Sequence, residues 1–419
     1  MTSVYQPLPR LMGPRDAVLS LAFSAKAKFL SAAGYSGVCV WDLATSTSPP
    51  LPHMLFAPQN PKYVITASVW IYFQKNNHHV LILGSMRGDI LLWDWNEEAR
   101  RFNLLYRVHP MNDTQDEILS IDVYEHEVAS GRIGRVVAST ANQYVSVWTL
   151  SSSGEFSKVF STTLDHDLKP KTVKMCKKTR DIFVFPLYGG EILCLDYKTG
   201  SIKSRKSPGP GRMGSVALSN ACDKFVAYTG KNFQLYRLGN LEILKNFTAE
   251  APLVLFPKQV VFGESETIVV GGTDRGCVLV YDVETEEVIQ RLNYPDGSLV
   301  QPVSTFTVPG RHLIAIAGST QEQPAHVILF EKHLAQVPQD VPSGRLAGDI
   351  RNRTSSQADS TPSSIHIGFY LPRIVLRWMW IIAVLVPISV AVYSTIPNYL
   401  TQVCILSQHT EGMIFDRSR

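Results

Sequence analysis

Charged side chains are scarce in this chain. Asp, Glu, Lys and Arg make up only 18% of its 419 residues, against roughly 25% in an average globular protein. Hydrophobic residues reach 45% and the formal net charge is only +4. That balance excludes a disordered chain, which needs few apolar residues and a high net charge. The slight basic excess gives no sign of a nucleic-acid binder, whose domains usually exceed a pI of about 9. Paired cysteines are lacking as well. Cys39, Cys176, Cys194, Cys222, Cys277 and Cys404 are too far apart for a CxxC pair, so the spacing of a zinc site is absent. Cys39, Cys194 and Cys277 lie in short apolar runs and are expected to be reduced, small buried hydrophobes in a reducing compartment. The first sixteen residues, MTSVYQPLPRLMGPRD, hold no apolar stretch of the kind found in a signal peptide. The 27 Gly and 25 Pro show no three-residue period, which excludes collagen.

Catalytic signatures are missing too. There is no GxSxG and no P-loop. His126-Glu127 fails as a zinc motif because Ser130 stands where the second His belongs. Gly209–Gly214 matches GxGxxG in letters, but it contains Pro210 and runs into the strand-like SVALS instead of a helix. A dinucleotide site needs a strand before the motif and a helix after it, so the segment reads as a loop. His78-His79 and Asp165-His166-Asp167 lie in polar loops without further ligands nearby in sequence. These absences predict a chain that is not an enzyme, with no cofactor, no metal, no nucleic acid and no small-molecule substrate.

What is present is a repeat. A small or apolar strand, a turn, and a second strand closing on an aromatic residue or Leu recur along the chain. The units are FLSAAGYSGVCVWDL, VLILGSMRGDILLWDW, RVVASTANQYVSVWTL, IFVFPLYGGEILCLDY, FVAYTGKNFQLYRL, IVVGGTDRGCVLVYDV and LIAIAGSTQEQPAHVILFEK. They close on Trp41, Trp93, Trp148, Leu195, Tyr236, Tyr281 and Phe330, a mean spacing of about 48 residues. Alternating runs precede the pairs (AVLSLAFS, EILSIDVY, TVKMC, GSVALS, QVVFG, VSTFTV). Others follow them (LLYRV, EFSKVF, IKSRK, LEILKNF, VIQRL). Four strands per unit and seven units predict an all-β fold, a seven-bladed β-propeller of four-stranded blades over residues 1–334.

Trp41-Asp42 and Trp93-Asp94 are WD dipeptides, with Leu195-Asp196 and Tyr281-Asp282 as diluted copies. On these residues the chain resembles the WD-repeat family over about residues 3–333. The resemblance implies ring closure by Ser3–Pro9 as the outer strand of the last blade, which also removes an exposed edge. The family's Gly-His dipeptide is missing from every unit; Met12-Gly13-Pro14 and Val108-His109-Pro110 stand in its place in two of them. The His–Ser/Thr–Trp hydrogen-bond network is therefore expected to be incomplete, with apolar packing taking its part.

Beyond the repeats the composition changes. Residues 335–372 are rich in Ser, Thr, Pro, Asp and Arg and read as a flexible stalk. From Trp378 to Thr410 there is no Asp, Glu, Lys or Arg. Trp378 to Ile396 is 19 residues, about 28 Å as a helix at 1.5 Å per residue. This predicts one transmembrane α-helix over 373–397, followed by a short tail, 398–419. Trp378 and Trp380 mark one end and Tyr393 the other, as in an aromatic belt, and Pro387 is tolerable in lipid. Arg373 and Arg377 precede the span, with Arg345, Arg351 and Arg353 further back. The basic side stays cytosolic, so the expected arrangement is an integral single-pass protein of the ER or another secretory-pathway membrane, its propeller in the cytosol. Sequons at Asn112, Asn246 and Asn352 would then be unmodified.

Basic residues cluster in the fourth unit. Strand order places Lys177, Lys178, Arg180 and Lys198 in loops on one face of the ring, and Lys169, Lys171 and Arg212 on the other. The first set is a candidate patch for anionic headgroups or an acidic partner. The functional expectation is a membrane-anchored, non-catalytic scaffold for protein partners. The alternative is a regulator of a small GTPase. A propeller followed by one C-terminal span resembles the ER-anchored exchange factor that loads the GTPase starting vesicle-coat assembly. That family inserts a Gly- and Asn-rich, Lys-containing loop into the first blade; here the matching hairpin is Ala33-Gly34-Tyr35-Ser36-Gly37.

Overall fold

Each of the seven strand–turn–strand units folds as the second and third strands of one antiparallel sheet, and seven such sheets form a β-propeller. The structure, a computed structural model, describes residues 4–52, 63–110 and 116–334. The innermost strands are Val18–Phe23, Ile65–Phe73, Ile118–Val123, Thr172–Met175, Val216–Leu218, Val260–Gly263 and Val303–Val308. Six blades have four strands of the radial kind; blade 1 has three among the described residues.

Burial follows position in the ring. The second strand of blade 1, Phe29–Gly34, is buried at every residue, because both of its faces meet neighbouring sheets. That is why the middle strands are continuous apolar runs instead of alternating ones. The outer strands face water: Ile202–Lys206 in blade 4 is exposed at its first four positions. All seven closing residues lie in third strands and are buried, from Tyr281 at 0% exposure to Phe330 at 5%. Phe29, Trp70, Trp93, Trp95 and Phe102 share one cluster between blades 1 and 2.

The ring closes as the resemblance implied. Gln6–Pro7 pairs antiparallel with Val327–His333, Gln6 opposite Glu331 and Pro7 opposite Phe330. Gln290 of blade 6 clamps the entering strand. Its amide nitrogen donates to the Tyr5 carbonyl at 2.7 Å, and its oxygen accepts from the Tyr5 N–H at 2.9 Å.

Three of the four WD-type aspartates have a local reason, while Asp94 pairs with His78 of the neighbouring strand. Asp196 Oδ1 accepts from the N–H groups of Lys198 and Thr199 at 2.8 and 3.0 Å. Asp282 Oδ1 does the same for Glu284 and Thr285 at 2.9 and 2.8 Å, and Asp42 Oδ1 for Ala44 at 2.9 Å. Each of these three aspartates thus folds the turn after its own third strand. The tryptophan network is incomplete, as expected. Trp93 Nε1 is buried without a partner, and Trp41 Nε1 donates to the Met12 carbonyl at 3.2 Å instead of to a side chain.

Two features had no counterpart in the sequence reading. Glu127–Val128, inside the long connection of blade 3, runs parallel to Tyr72–Phe73 and adds a fifth strand to blade 2. Serines of the inner strands join blades around the central channel. Ser20 and Ser68 are hydroxyl to hydroxyl at 2.8 Å, and Ser120 accepts from the Val173 N–H at 3.2 Å. Cys194 and Cys277 are buried as expected, whereas Cys39, beside Gly13 and Trp41, is only partly so.

Candidate functional site

The antiparallel order fixes two loop faces. Connections between first and second strands, and between third and outer strands, lie on one face. The described chain ends on that face, where the Leu334 N–H donates to the Gly310 carbonyl at 2.9 Å; it is called the exit face here. The remaining connections form the opposite face. Lys177, Lys178 and Arg180 lie between Thr172–Met175 and Ile182–Phe185, and Lys198 lies between Ile192–Leu195 and Ile202–Lys206. All four are exposed and on the exit face. Lys169, Lys171 and Arg212 lie in connections between blades, on the opposite face.

The exit-face cations sit among tyrosines. The Arg180 guanidinium lies 5.5 Å from the Tyr124 ring centre, and the Tyr124 hydroxyl donates to the Lys177 carbonyl at 3.0 Å. Lys198 Nζ lies 5.5 Å from the Tyr197 ring, with Arg135 5.0 Å from the same ring. Lys177 Nζ donates to Asn220 Oδ1 of blade 5. None of the four predicted cations is in an ion pair among the described residues, so their charge is open to a ligand. Lys203 differs: it is held by Asp181 at 2.9 Å.

The opposite face carries an apolar loop that composition did not single out. Between blades 5 and 6, Leu253, Val254, Leu255 and Phe256 are 60, 36, 82 and 49% exposed. Directly beneath them lies a buried ion pair. Lys258 Nζ is 2.8 Å from Asp274 Oδ2, with the two side chains only 4 and 1% exposed. Lys258 Nζ also donates to the carbonyls of Val254 and Phe256 at 2.9 and 2.7 Å. Asp274 Oδ2 accepts from the N–H groups of Leu253 and Val254 at 3.0 and 3.1 Å, and Oδ1 from Gln301 Nε2 at 2.8 Å. The pair binds the loop's backbone inward, which turns its side chains outward. Burial, the largest influence, pushes the Lys258 amine below its ordinary value, and the Asp274 carboxylate opposes that.

The central channel holds two cavities. One of about 640 Å³ opens among Asp122, His126, Lys174, Lys177, Asn220 and Glu264; one of about 260 Å³ lies among Lys171, Glu117, Ser120 and Phe256. Lys174 and Asp122 pair within the first at 3.0 Å. No group of three or more His, Cys, Asp or Glu that could hold a metal occurs among the described residues. Gly209–Gly214 is the connection from blade 4 to blade 5, with the Arg212 guanidinium 5.6 Å from the Tyr188 ring. The blade 1 hairpin is tight, with Gly34 opposite Gly37.

Among the described residues no helix is long and apolar enough to cross a membrane. The predicted anchor residues Trp378, Trp380, Pro387 and Tyr393, with Arg373 and Arg377, lie outside the described residues, as does the stalk. No protein-family model matches the chain, and no curated protein matches it.

Proposed function

We propose that this chain is a non-catalytic interaction scaffold, a propeller of the WD-repeat type held at the cytosolic face of an ER or other secretory-pathway membrane by its C-terminal segment. The observation that carries the scaffold reading is the Leu253–Phe256 loop. Soluble surfaces rarely present a contiguous apolar patch without a use for it. Here four successive apolar side chains are displayed on a backbone braced by a buried ion pair. A braced loop loses little conformational entropy on binding, which favours affinity. The membrane part of the reading rests on the uncharged stretch from Trp378 to Thr410 and the arginines before it. Lys177, Lys178, Arg180 and Lys198 support it, since they share the face on which the described chain ends. Attraction to anionic headgroups amounts to about 1 kcal/mol per Lys or Arg near the surface.

The test uses the full chain in isolated microsomes. Added protease removes the propeller and leaves a small protected fragment; a protected propeller, or glycosidase-sensitive mass on Asn246, overturns the orientation. Deleting 373–397 releases the protein from membranes; continued sedimentation overturns the anchor. Proximity labelling from the propeller, compared between wild type and Leu255→Asp/Phe256→Asp, reads the scaffold role. The double variant keeps its membrane fraction and its melting temperature but loses part of the labelled set. An unchanged labelled set overturns the loop as the binding element.

A further inference from the structure

Cys176 and Cys222 are 46 positions apart in sequence, yet the ring brings them together. Cys176 opens the exit-face turn of blade 4, Cys176-Lys177-Lys178-Thr179-Arg180, which is closed by an Arg180 N–H to Cys176 carbonyl bond of 2.9 Å. Cys222 occupies the corresponding turn of blade 5, in the left-handed region at φ 54°. The Cys222 Sγ accepts a hydrogen bond from the Lys177 N–H at 3.2 Å, so it lies against the peptide bond that follows Cys176. That contact sets Cys222 beside the residue next to Cys176 across the boundary between blades 4 and 5. A second contact, Lys177 Nζ to Asn220 Oδ1, ties the same two turns together.

The surroundings of Cys176 suit a thiolate. The turn it opens carries the Lys178 and Thr179 N–H groups and the Thr179 hydroxyl within three residues of it. Successive N–H groups in a turn form a concavity that holds anions. Three cations, Lys177, Lys178 and Arg180, belong to the same turn. Burial by itself raises the Cys176 thiol, but the hydrogen bonds from Cys222, Thr179 and Lys178 outweigh it and hold the thiol below its ordinary value. The other shifted cysteines go the opposite way. Burial pushes Cys39 and Cys194 up to about 11, and burial together with the Cys176 contact pushes Cys222 to about 11. A thiol held low beside a neighbour held high is the asymmetry that a reactive dithiol requires.

We propose that Cys176 and Cys222 are an oxidation site, in which Cys176 reacts with a hydroperoxide and Cys222 resolves the product as a disulfide between blades 4 and 5. In the first step the Cys176 sulfur attacks the peroxide, the O–O bond breaks, hydroxide leaves and takes a proton, and Cys176 becomes a sulfenic acid. In the second, the Cys222 sulfur gives up its proton and attacks that sulfur. The S–O bond breaks, and the departing hydroxide takes the proton as water. Two thiols are oxidised by two electrons in all, and one hydrogen peroxide is reduced to two waters. The bond forms within the basic exit-face patch, at the residue preceding Lys177, so oxidation acts on the surface that carries Lys177, Lys178 and Arg180.

The experiment treats the full chain in detergent with hydrogen peroxide, blocks remaining thiols by alkylation, and maps the peptides. A Cys176–Cys222 linked peptide forms and is reversed by dithiothreitol. Cys222→Ser stops the link and leaves a dimedone-reactive sulfenic acid on Cys176. Cys176→Ser removes both signals, and a melting curve for each variant confirms that the ring is folded. In Cys222→Ser, Cys176 reacts with dimedone at least ten-fold faster than Cys277. Equal rates at the two positions, or linkage of either cysteine chiefly to Cys39 or Cys404, overturn the proposal.

Discussion

Blades 2 and 6 bury an aspartate in the same connection, between the second and third strands, and use it differently. In blade 2, Asp89 is only 3% exposed, but its partners reach it from the surface. Arg107 Nε at 2.7 Å and His109 Nε2 at 3.0 Å are 42 and 41% exposed. In blade 6, Asp274 and Lys258 are both buried. The blade 2 partners stay partly hydrated, so they fasten their own blade at modest desolvation cost. The blade 6 cation is withdrawn from water and its remaining donors go to the Val254 and Phe256 carbonyls of its own connection. One acid position thus serves sheet closure in one blade and the shaping of an exposed loop in another.

The largest expected effect comes from Lys258→Met, which leaves the Asp274 carboxylate buried without its cation. Removing one partner of a buried pair costs about 3–5 kcal/mol. Urea unfolding of the full chain in detergent should show that loss, together with faster amide exchange at Leu253 and Val254. A loss no larger than that of the blade 2 variant below would remove the distinction between the two sites.

The next effect concerns blade 2 alone and depends on pH. His79 is 2% exposed, packed against Phe29 and Tyr72, with Nδ1 unpartnered. Burial, with Lys28 nearby, pushes it down to about 3 from an ordinary 6.5. Above pH 6.5 both folded and unfolded forms are neutral and His79 contributes nothing to the slope. Between 6.5 and 3 only the unfolded form binds the proton, so stability falls as pH falls through that window. At two pH units below 6.5 the loss is about 2–3 kcal/mol. His79→Phe should remove that part of the acid limb while leaving stability at pH 8 nearly unchanged. Identical acid limbs in the two proteins would show that the buried histidine is not what makes blade 2 acid-sensitive.

The smallest effect is expected for Arg107→Met. Its guanidinium is half exposed and His109 remains beside Asp89, so the loss should be about 1 kcal/mol. Adding His109→Gln to it should cost more than the sum of the two single changes, because Asp89 then loses both side chains that reach it; strict additivity would mean that the two do not share the acid.

Much of the ring was legible because a propeller writes itself locally. The closing residues from Trp41 to Phe330 mark third strands, Asp42, Asp196 and Asp282 fold the turns that follow, and the basic residues fall on the faces that strand order assigns. Glu127–Val128 was not legible. Its partner strand belongs to another blade and runs parallel, so no hairpin signal joins them. Nothing in the sequence sets Leu253–Phe256 apart from the other short apolar runs, since exposure is not written in composition, and nothing sets Lys258 apart from the other loop lysines.

Scarce charge was the first feature of this chain, and the structure divides it unevenly. Periodicity determined the strands, their number and the order of the blades, because burial on both faces of a middle strand demands an unbroken apolar run and a tight turn demands Gly, Asn or Asp. Only the tertiary structure decided which of the few charges are open to a ligand, as at Lys178, and which are sealed, as at Lys258. It alone brought Cys176 to Cys222. Those relations join separate connections of the ring, and their distances are set by how the strands and sheets pack, which no local pattern records.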